Sequence, residues 1–558
     1  MPSAHQATVR FLALTLVCAL GACGDDDGGA TDDDDEDGGE PDAGPPEDAG
    51  PSSTLVTIDD GQLQGELDGD SRRFLGIPFA RPPVGELRWK APVPNEPWEG
   101  VRDATEFGGS CAQLESLQAM ASDSEDCLYL NVWTPEPAPA EPLPVMVWFH
   151  GGGNESGSTA DLVPLGVGGL FYDGRALAES HGVVVVTTNY RLGPLGFFHH
   201  PALAGEGSPT GNQGLLDQRR ALEWVRDNIA AFGGDPDRVT IFGESAGSID
   251  VCLHVVSPGS AGLFHRAISQ SGGCTTRMAE PADLEAGVAA FTEAMGCTGA
   301  ADALACLREL PAAELLAVPP VDGAPPEPLP GGGGYQGGTP RWGFGPMVDG
   351  EVITDQPRAL FDQGAAADVP YILGSNTDEG TLFHIGAIAV ESADELLAAL
   401  ERRFGDRAPD IADAYPLAEF ESPNDALQRI TGDAALVCST HDTARRAAAA
   451  GLDVWMYNFD FPLPIPGLEF LGATHGAEIA FVFESVEGDE QATVGAPMRG
   501  YWTRLAATGD PNGDELAWPA FSSEADARIN FTTELSVVPD FRADECALWR
   551  SLYDEQFP

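Results

Sequence analysis

The chain has 558 residues, of which 43% are hydrophobic, and this composition is sufficient for a large folded core. Its formal net charge is −59, from 88 acidic and 29 basic residues, and Lys90 is the only lysine. A surface so acidic repels polyanions, so we exclude nucleic acid as a partner and expect anionic substrates to be disfavoured.

Residues 1–22 are typical of an export signal. Residues 1–10 carry one arginine and no acid, and an apolar run at 11–20 follows that is too short to span a bilayer. Leu20-Gly21-Ala22-Cys23 resembles a bacterial lipobox, in which the signal is cut before the cysteine and that cysteine receives a lipid. We therefore expect an exported protein, anchored in the cell envelope through Cys23. An ordinary signal peptide and a secreted protein remain the alternative.

The segment after Cys23 is acidic and lacks large apolar residues. Residues 24–51 are Asp, Glu, Gly, Pro and Ala with a single Thr, so this segment cannot bury enough surface to offset the entropy of ordering it. We predict a disordered acidic tether at 23–52 and one folded domain at 53–558.

Short apolar segments indicate the first strands of a sheet. Residues 54–58 and 62–67 alternate apolar and polar side chains around Asp59-Asp60-Gly61, a pattern typical of a β-hairpin. Residues 144–149 and 183–188 are continuous apolar runs, as expected for strands that are buried on both faces. We therefore expect an N-terminal hairpin followed by a parallel sheet.

Helical and strand patterns alternate along the rest of the chain. Residues 212–232 have apolar side chains at helical spacing and lead to a predicted strand at 239–242. Further strands are predicted at 267–269, 371–374 and 454–459, and helical stretches such as 393–403 lie between them. This alternation predicts the α/β class, with a central, mostly parallel twisted sheet and helices on both faces. Residues 319–338, rich in Pro and Gly, are predicted to form a long irregular loop.

Gly243-Glu244-Ser245-Ala246-Gly247 fits the pattern G-x-S-x-G, and it lies between a predicted strand and a helical run at 248–256. A sharp strand-to-helix turn exposes the serine hydroxyl, and glycines keep that turn free of side chains. Ser245 is therefore the candidate nucleophile. His150-Gly151-Gly152-Gly153 follows another predicted strand, where unobstructed backbone amides are suited to binding an oxyanion.

These motifs resemble those of the type-B carboxylesterase and cholinesterase family, and the likeness extends from Gln62 almost to the C-terminus. The further segments that carry it are Phe74-Leu75-Gly76-Ile77-Pro78-Phe79-Ala80, Pro82-Pro83-Val84-Gly85, Ser124-Glu125-Asp126-Cys127-Leu128-Tyr129-Leu130-Asn131 and Asn189-Tyr190-Arg191. The resemblance implies an α/β-hydrolase fold and a serine hydrolase that cleaves carboxylic esters through an acyl-enzyme, without metal or cofactor.

The resemblance also implies a triad in the chain order Ser, Glu, His. The acid falls on Glu379 in Asn376-Thr377-Asp378-Glu379-Gly380, with Asp378 as the runner-up, and the base falls on His475 in Ala473-Thr474-His475-Gly476-Ala477-Glu478. His384 and His441 lack a distinctive setting. By the same resemblance, the amides of Gly152, Gly153 and Ala246 hold the oxyanion. Glu244 is given no catalytic role.

An exported chain enters an oxidising compartment, where cysteines form disulfides, and no Cys/His spacing of metal sites is present. The resemblance pairs the cysteines as Cys111 with Cys127, Cys297 with Cys306, and Cys438 with Cys546. Cys252 and Cys274 remain, either as a fourth pair or as buried thiols. The resemblance also makes Arg88 and Glu125 a structural ion pair outside the active site.

Three hypotheses of function follow. The first is an esterase for small or medium neutral esters, and the second is a lipase for long acyl chains. The third is a non-catalytic binding protein of the same fold, which the intact set of Ser245, Glu379 and His475 disfavours. The segment between Cys111 and Cys127 contains no tryptophan, which argues against acetylcholine as the substrate. The physiological ester and the oligomeric state are left open.

Overall fold

The computed structural model describes residues 54–116, 119–161, 171–207, 211–317, 344–385, 387, 389–465, 467–486, 488–522 and 524–557. The predicted signal peptide, the acidic tether with Cys23, and the predicted loop at 319–338 lie outside the described residues. The described residues within 53–385 and 389–558 form one compact unit. In the parts of the chain described, no helix has both the length and the apolarity needed to cross a membrane.

The described strands form a large mixed sheet and a small one. They are β1 (Leu55–Ile58), β2 (Gly61–Gln64), β3 (Glu66–Asp68), β4 (Ser71–Pro78), β5 (Val101–Asp103), β6 (Tyr129–Pro135), β7 (Leu143–Phe149), β8 (Val184–Thr188), β9 (Gly234–Glu244), β10 (Arg266–Gln270), β11 (Tyr371–Asn376), β12 (Val454–Phe459), β13 (Ala527–Phe531) and β14 (Ser536–Pro539). The small sheet has the order β1-β2-β5. The large sheet has eleven strands in the order β14-β13-β12-β11-β10-β9-β7-β8-β6-β4-β3.

The centre of the large sheet is parallel and its two edges are antiparallel. The seven strands β8, β7, β9, β10, β11, β12 and β13 pair in parallel with one another. The pairs β3–β4, β4–β6, β6–β8 and β13–β14 are antiparallel. The predicted α/β class and the mostly parallel sheet are confirmed.

Helices cover both faces of this sheet. They are α1 (Arg175–His181), α2 (Gly193–Gly196), α3 (Pro201–Gly205), α4 (Gln213–Asn228), α5 (Ala246–Val256), α6 (Pro281–Ala294), α7 (Ala303–Glu309), α8 (Ala312–Leu316), α9 (Pro357–Asp362), α10 (Ala393–Phe404), α11 (Ala408–Ala414), α12 (Pro423–Gly432), α13 (Cys438–Ala449), α14 (Ile479–Val482), α15 (Asp489–Thr508) and α16 (Ala543–Asp554). A π-helical turn, Asp433–Val437, joins α12 to α13.

The central strands are apolar along their whole length because both of their faces are buried. In β7, the side chains of Val145, Val147 and Phe149 belong to one apolar cluster, and those of Met146 and Trp148 belong to another. Successive side chains of a strand point to opposite faces, so the two clusters lie on the two sides of the sheet. Helices α4 and α5 complete the first cluster, and α1 and α15 complete the second. This burial explains why the continuous runs at 144–149 and 183–188 identify strands.

The structure corrects the predicted hairpin in one respect. Leu55–Ile58 and Gly61–Gln64 do pair antiparallel, but the second predicted strand at 62–67 breaks at Gly65, and Glu66–Asp68 pairs instead with β4 in the large sheet. The alternating pattern continues across the break but does not mark a second buried face, because Leu63 in β2 is fully buried whereas Leu67 in β3 is 52% exposed. The predicted helix at 212–232 likewise ends at Asn228, and its last turn, Ile229–Phe232, is a 3₁₀ helix.

Candidate active site

Ser245 lies at a sharp turn between β9, which ends at Glu244, and α5, which begins at Ala246. Its φ of 58° and ψ of −121° are a strained conformation for a residue with a side chain, typically costing about 1–3 kcal/mol. A Cβ atom on Gly247 would lie 2.0 Å from the Phe149 carbonyl oxygen, so only glycine fits there. The Ser245 amide donates to the Gln270 carbonyl at 2.9 Å, which joins the turn to β10.

A continuous chain of hydrogen bonds joins Ser245, His475 and Glu379. His475 Nε2 lies 2.8 Å from Ser245 Oγ, and His475 Nδ1 lies 2.7 Å from Glu379 Oε2. His475 is 6% exposed and Glu379 is 1% exposed. Because a carboxylate accepts hydrogen bonds, Nδ1 is the protonated nitrogen, and Nε2 is free to accept the serine proton. The structure thus brings together the three side chains that the sequence predicted.

The loops that carry Glu379 and His475 hold each other in place. Glu379 follows β11, and its Oε1 accepts a hydrogen bond from the Asn376 amide at 2.8 Å. Asp378 donates its amide to the Ala473 carbonyl at 2.9 Å, and its Oδ2 accepts from the Ala473 amide at 3.0 Å. Asp378, the runner-up acid, therefore faces the backbone of the histidine loop, and Glu379 is the acid that contacts His475.

Two further buried carboxylates lie near this histidine. Glu244 Oε1 is 3.3 Å from His475 Nε2, and Glu478 accepts hydrogen bonds from Asn376 and from Gln270. Neither Glu244 nor Glu478 was predicted from the sequence to have a catalytic role. The only sequence signal for them was their position, one residue before the serine and three after the histidine.

These charges change the proton affinity of the site. Burial by itself lowers the pKa of His475, but the carboxylates of Glu244 and Glu379 raise it more, and the net result is a raised pKa. Burial raises the pKa of Glu244, and the neighbouring Glu478 and Glu379 add to that effect. The nearby carboxylates therefore stabilise the positively charged imidazolium form of His475. A histidine that acts as a general base takes this form when it accepts a proton.

The glycine run lies beside the serine. A Cβ atom on Gly151 would lie 3.0 Å from Ser245 Cβ, and Gly153 has open space where a side chain would be. Gly152 and Gly153 have φ values of 102° and 68°, which glycine adopts without strain. Ala246 occupies the first turn of α5, where backbone N–H groups have no partner within the helix. The three predicted oxyanion donors thus lie on the first turn of α5, directly after Ser245, and on the glycine run, which approaches the Ser245 side chain at Gly151.

The other residues that the sequence singled out contact side chains outside the triad. His384 Nε2 lies 3.1 Å from Thr431 Oγ1, and His441 Nε2 lies 2.7 Å from Asp526 Oδ2. Arg88 Nε donates to Glu125 at 2.7 Å. Phe383, which the sequence analysis did not single out, packs on His475 with the ring centroids 5.0 Å apart. The described residues contain no group of three or more His, Cys, Asp or Glu side chains that is arranged to hold a metal ion.

Four disulfides join cysteines of the described residues. Three join the pairs that the resemblance implied, which are Cys111–Cys127, Cys297–Cys306 and Cys438–Cys546. The fourth joins Cys252 to Cys274, the two cysteines whose pairing the sequence left open. Cys252 lies on α5, so this bond fastens the helix that follows Ser245 to the segment after β10.

Comparison with known proteins agrees with this geometry. The model of the carboxylesterase family matches residues 52–549. A solved structure of PNB esterase aligns with a TM-score of 0.75 at 34% identity and covers 89% of this chain and 99% of that one. The α/β-hydrolase fold that the resemblance implied is therefore confirmed.

Curated relatives cover most of the chain as well. Para-nitrobenzyl esterase of Bacillus subtilis (strain 168) is 36% identical over 506 residues, which are 87% of this chain and 96% of that protein. Fumonisin B1 esterase of Sphingopyxis macrogoltabida is 38% identical over 486 residues, or 83% of each chain. Acetylcholinesterase of Bungarus fasciatus is 34% identical over 525 residues, which are 87% of this chain and 83% of that protein. The chain therefore belongs to the carboxylesterase family of serine ester hydrolases.

Proposed function

We propose that Ser245, His475 and Glu379 are the catalytic triad of this esterase and that hydrolysis proceeds through an acyl-enzyme on Ser245. The observation that carries this assignment is the unbroken chain of contacts, 2.8 Å from Ser245 to His475 and 2.7 Å from His475 to Glu379. A serine hydroxyl is a weak nucleophile at neutral pH, and a hydrogen-bonded base that is itself oriented by an acid activates it.

The first half-reaction forms the acyl-enzyme. Ser245 Oγ attacks the carbonyl carbon of the ester while His475 Nε2 takes the hydroxyl proton, and Glu379 stabilises the resulting imidazolium. The tetrahedral intermediate then collapses, the bond to the alcohol oxygen breaks, and His475 returns the proton to the leaving alcohol. In the second half-reaction, His475 activates a water in the same way, and the water releases the acid from Ser245.

The negative charge of each tetrahedral intermediate falls on the former carbonyl oxygen. The amides of Gly152, Gly153 and Ala246 donate to this oxygen, and one such donor typically lowers the barrier by roughly 3 kcal/mol. The support for this role is the close approach of Gly151 to the Ser245 side chain, the place of Ala246 at the start of the helix that follows Ser245, and the open space at Gly153.

The substrate class that fits the chain is neutral carboxylic esters. The net charge of −59 disfavours anionic esters. Relatives of the chain are named for p-nitrobenzyl and fumonisin B1 esters and for acetylcholine, so the family accepts varied alcohol groups. A lipase for long acyl chains is the second candidate, and a series of esters with increasing acyl length separates it from an esterase.

Removal of either end of the triad lowers turnover by several orders of magnitude. Ser245→Ala lowers kcat for p-nitrophenyl esters by roughly 10⁴- to 10⁶-fold, and Glu379→Gln lowers it by roughly 10⁴-fold, because the nucleophile or the orientation of the base is lost. Asp378→Asn, the matched control next to Glu379, keeps most of the activity. The measurement is steady-state hydrolysis of esters from acetate to palmitate by the purified proteins.

A parent enzyme without turnover on any chain length would support the binding-protein hypothesis instead. Turnover that rises steeply from short to long chains would favour the lipase. Retention of activity by Glu379→Gln together with its loss in Asp378→Asn would contradict the assignment of the acid.

The buried acids around His475 predict a shift in the pH profile. The base must be neutral to accept a proton, so kcat/KM rises with pH through the raised pKa of His475. Glu244→Gln removes the carboxylate that raises this pKa most, so the acidic limb of the profile moves to lower pH, toward the ordinary histidine value of about 6.5. Because Glu478 raises the pKa of His475 less than Glu244 does, Glu478→Gln moves the acidic limb by a smaller amount.

The measurement is kcat/KM for a neutral ester between pH 5 and 10, where the substrate itself does not titrate. A limb that stays in place in Glu244→Gln, or moves to higher pH, would show that Glu244 does not govern the proton affinity of His475.

The N-terminal sequence supports export and a lipid anchor as part of the proposed function. Leu20-Gly21-Ala22-Cys23 follows a short apolar run, and an acidic segment without large apolar residues separates it from the esterase domain. A lipid on Cys23 anchors the protein in the cell envelope, and the acidic segment tethers the esterase domain to that anchor. The enzyme then meets esters that arrive from outside the cell.

The test compares two cysteines of the leader in a bacterial host that processes lipoproteins. Cys23→Ala moves the esterase activity from the membrane fraction to the soluble one, because the acceptor of the lipid is gone. Cys18→Ala, a control five residues earlier, keeps the activity in the membrane fraction. Activity that is soluble in the parent as well would favour the ordinary signal peptide.

A further inference from the structure

A polar contact outside the triad connects the glycine run to the helix that follows the nucleophile. Asn154 comes directly after Gly153, is buried, and has a φ of 58°. Its carbonyl accepts a hydrogen bond from the Gly193 amide at 2.7 Å, and its side-chain Nδ2 donates to Asp250 Oδ1 at 3.1 Å. Asp250 lies on α5, five residues after Ser245.

The carboxylate of Asp250 joins three elements of the fold. It is fully buried, and its second oxygen, Oδ2, accepts a hydrogen bond from Gln218 Nε2 on α4 at 2.7 Å. The glycine loop, the nucleophile helix and α4 therefore share one buried acceptor group. Burial of a carboxylate is costly, and hydrogen bonds to both oxygens offset part of that cost.

The glycine loop has backbone contacts of its own, in which the Gly152 carbonyl accepts from the amides of Glu155 and Ser156 at 3.1 and 3.0 Å, but its glycines have no side chains that could join it to the rest of the fold. Gly151, Gly152 and Gly153 have no side chains to pack, and glycine has more accessible backbone conformations than any other residue. The start of the loop is held at His150, whose carbonyl accepts from Tyr190 Oη at 2.7 Å. Asn154 is the first residue after the glycines that has a side chain to hold the other end.

We propose that Asp250 is a positioning residue for ester hydrolysis, which, through Asn154, fixes the amides of Gly152 and Gly153 relative to Ser245. This inference rests on the proposed function, because it assumes that these amides bind the oxyanion. An oxyanion hole acts only when its donors are already in place, and a displacement of about 1 Å lowers the rate by roughly 100-fold.

The same buried network provides a matched control at its far end. Gln218 Oε1 lies 2.9 Å from His254 Nε2, and His254 Nδ1 lies 2.8 Å from Ser260 Oγ. Ser260→Ala breaks a buried contact of the network without touching Asp250 or the glycine loop. A defect caused only by damage to this part of the core therefore appears in Ser260→Ala as well.

The experiment measures kcat and KM per active site, counted by titration with a fluorophosphonate. Asp250→Ala and Asn154→Ala each lower kcat by about 10- to 100-fold with little change in KM, because the contact acts on the transition state. The double variant is no worse than either single one. Affinity for a trifluoromethyl ketone, whose adduct with Ser245 carries an oxyanion, falls by the same factor as kcat/KM.

Asp250→Asn tests the chemistry of the contact. In this variant, the amide oxygen at position 250 still accepts from Asn154. The Gln218 amide rotates so that its oxygen accepts from the new N–H donor. We therefore expect kcat to be close to that of the parent and well above that of Asp250→Ala. Should Asp250→Ala not fold, Asn154→Ala and Asp250→Asn carry the comparison.

Values of kcat in Asp250→Ala and Asn154→Ala equal to that of Ser260→Ala would overturn the inference, as would a ketone affinity that does not change. Hydrolysis that survives Ser245→Ala would instead overturn the proposed function. The two failures are therefore distinguishable.

Discussion

The turn at Ser245 is the constraint on which the rest of the site depends. Its φ of 58° and ψ of −121° are held in place from several sides: β9 precedes it, α5 follows it, and its amide donates to Gln270 on β10. Gly247 leaves the room that lets the turn pack against Phe149 of β7. A strained residue persists only when its surroundings over-determine it, and here the surroundings are the centre of the parallel sheet. The buried core thus stabilises the exposure of one hydroxyl group.

The sheet also explains why residues so distant in sequence meet. The glycine loop follows β7, Ser245 follows β9, Glu379 follows β11 and His475 follows β12. Parallel strands end at the same edge of a sheet, so loops that follow them gather there. Isolated contacts then fix the loops to one another, such as the parallel bridge between Asp378 and Thr474. The Cys252–Cys274 disulfide adds a covalent connection between α5, which follows Ser245, and the segment after β10.

Much of this arrangement is visible in the sequence, since continuous apolar runs predicted the central strands and the family resemblance pointed to Ser245, Glu379 and His475, which the structure brings into contact. The antiparallel strands Ser71–Pro78 and Tyr129–Pro135 have no clean period, and the analysis did not predict them. Glu244 and Glu478 acquire their importance only through proximity to His475, and Asp250 through its contact with Asn154, 96 residues away. Such contacts depend on the folded geometry, so no local pattern reports them.

Covalent labelling identifies the nucleophile most directly. The purified enzyme is treated with a fluorophosphonate, which reacts with an activated serine, and the labelled peptide is identified by mass spectrometry. We expect one adduct per chain, on Ser245, and a reaction rate that rises with pH as His475 loses its proton. An adduct on another residue, or no adduct in an enzyme that hydrolyses esters, would contradict the assignment of Ser245 as the nucleophile.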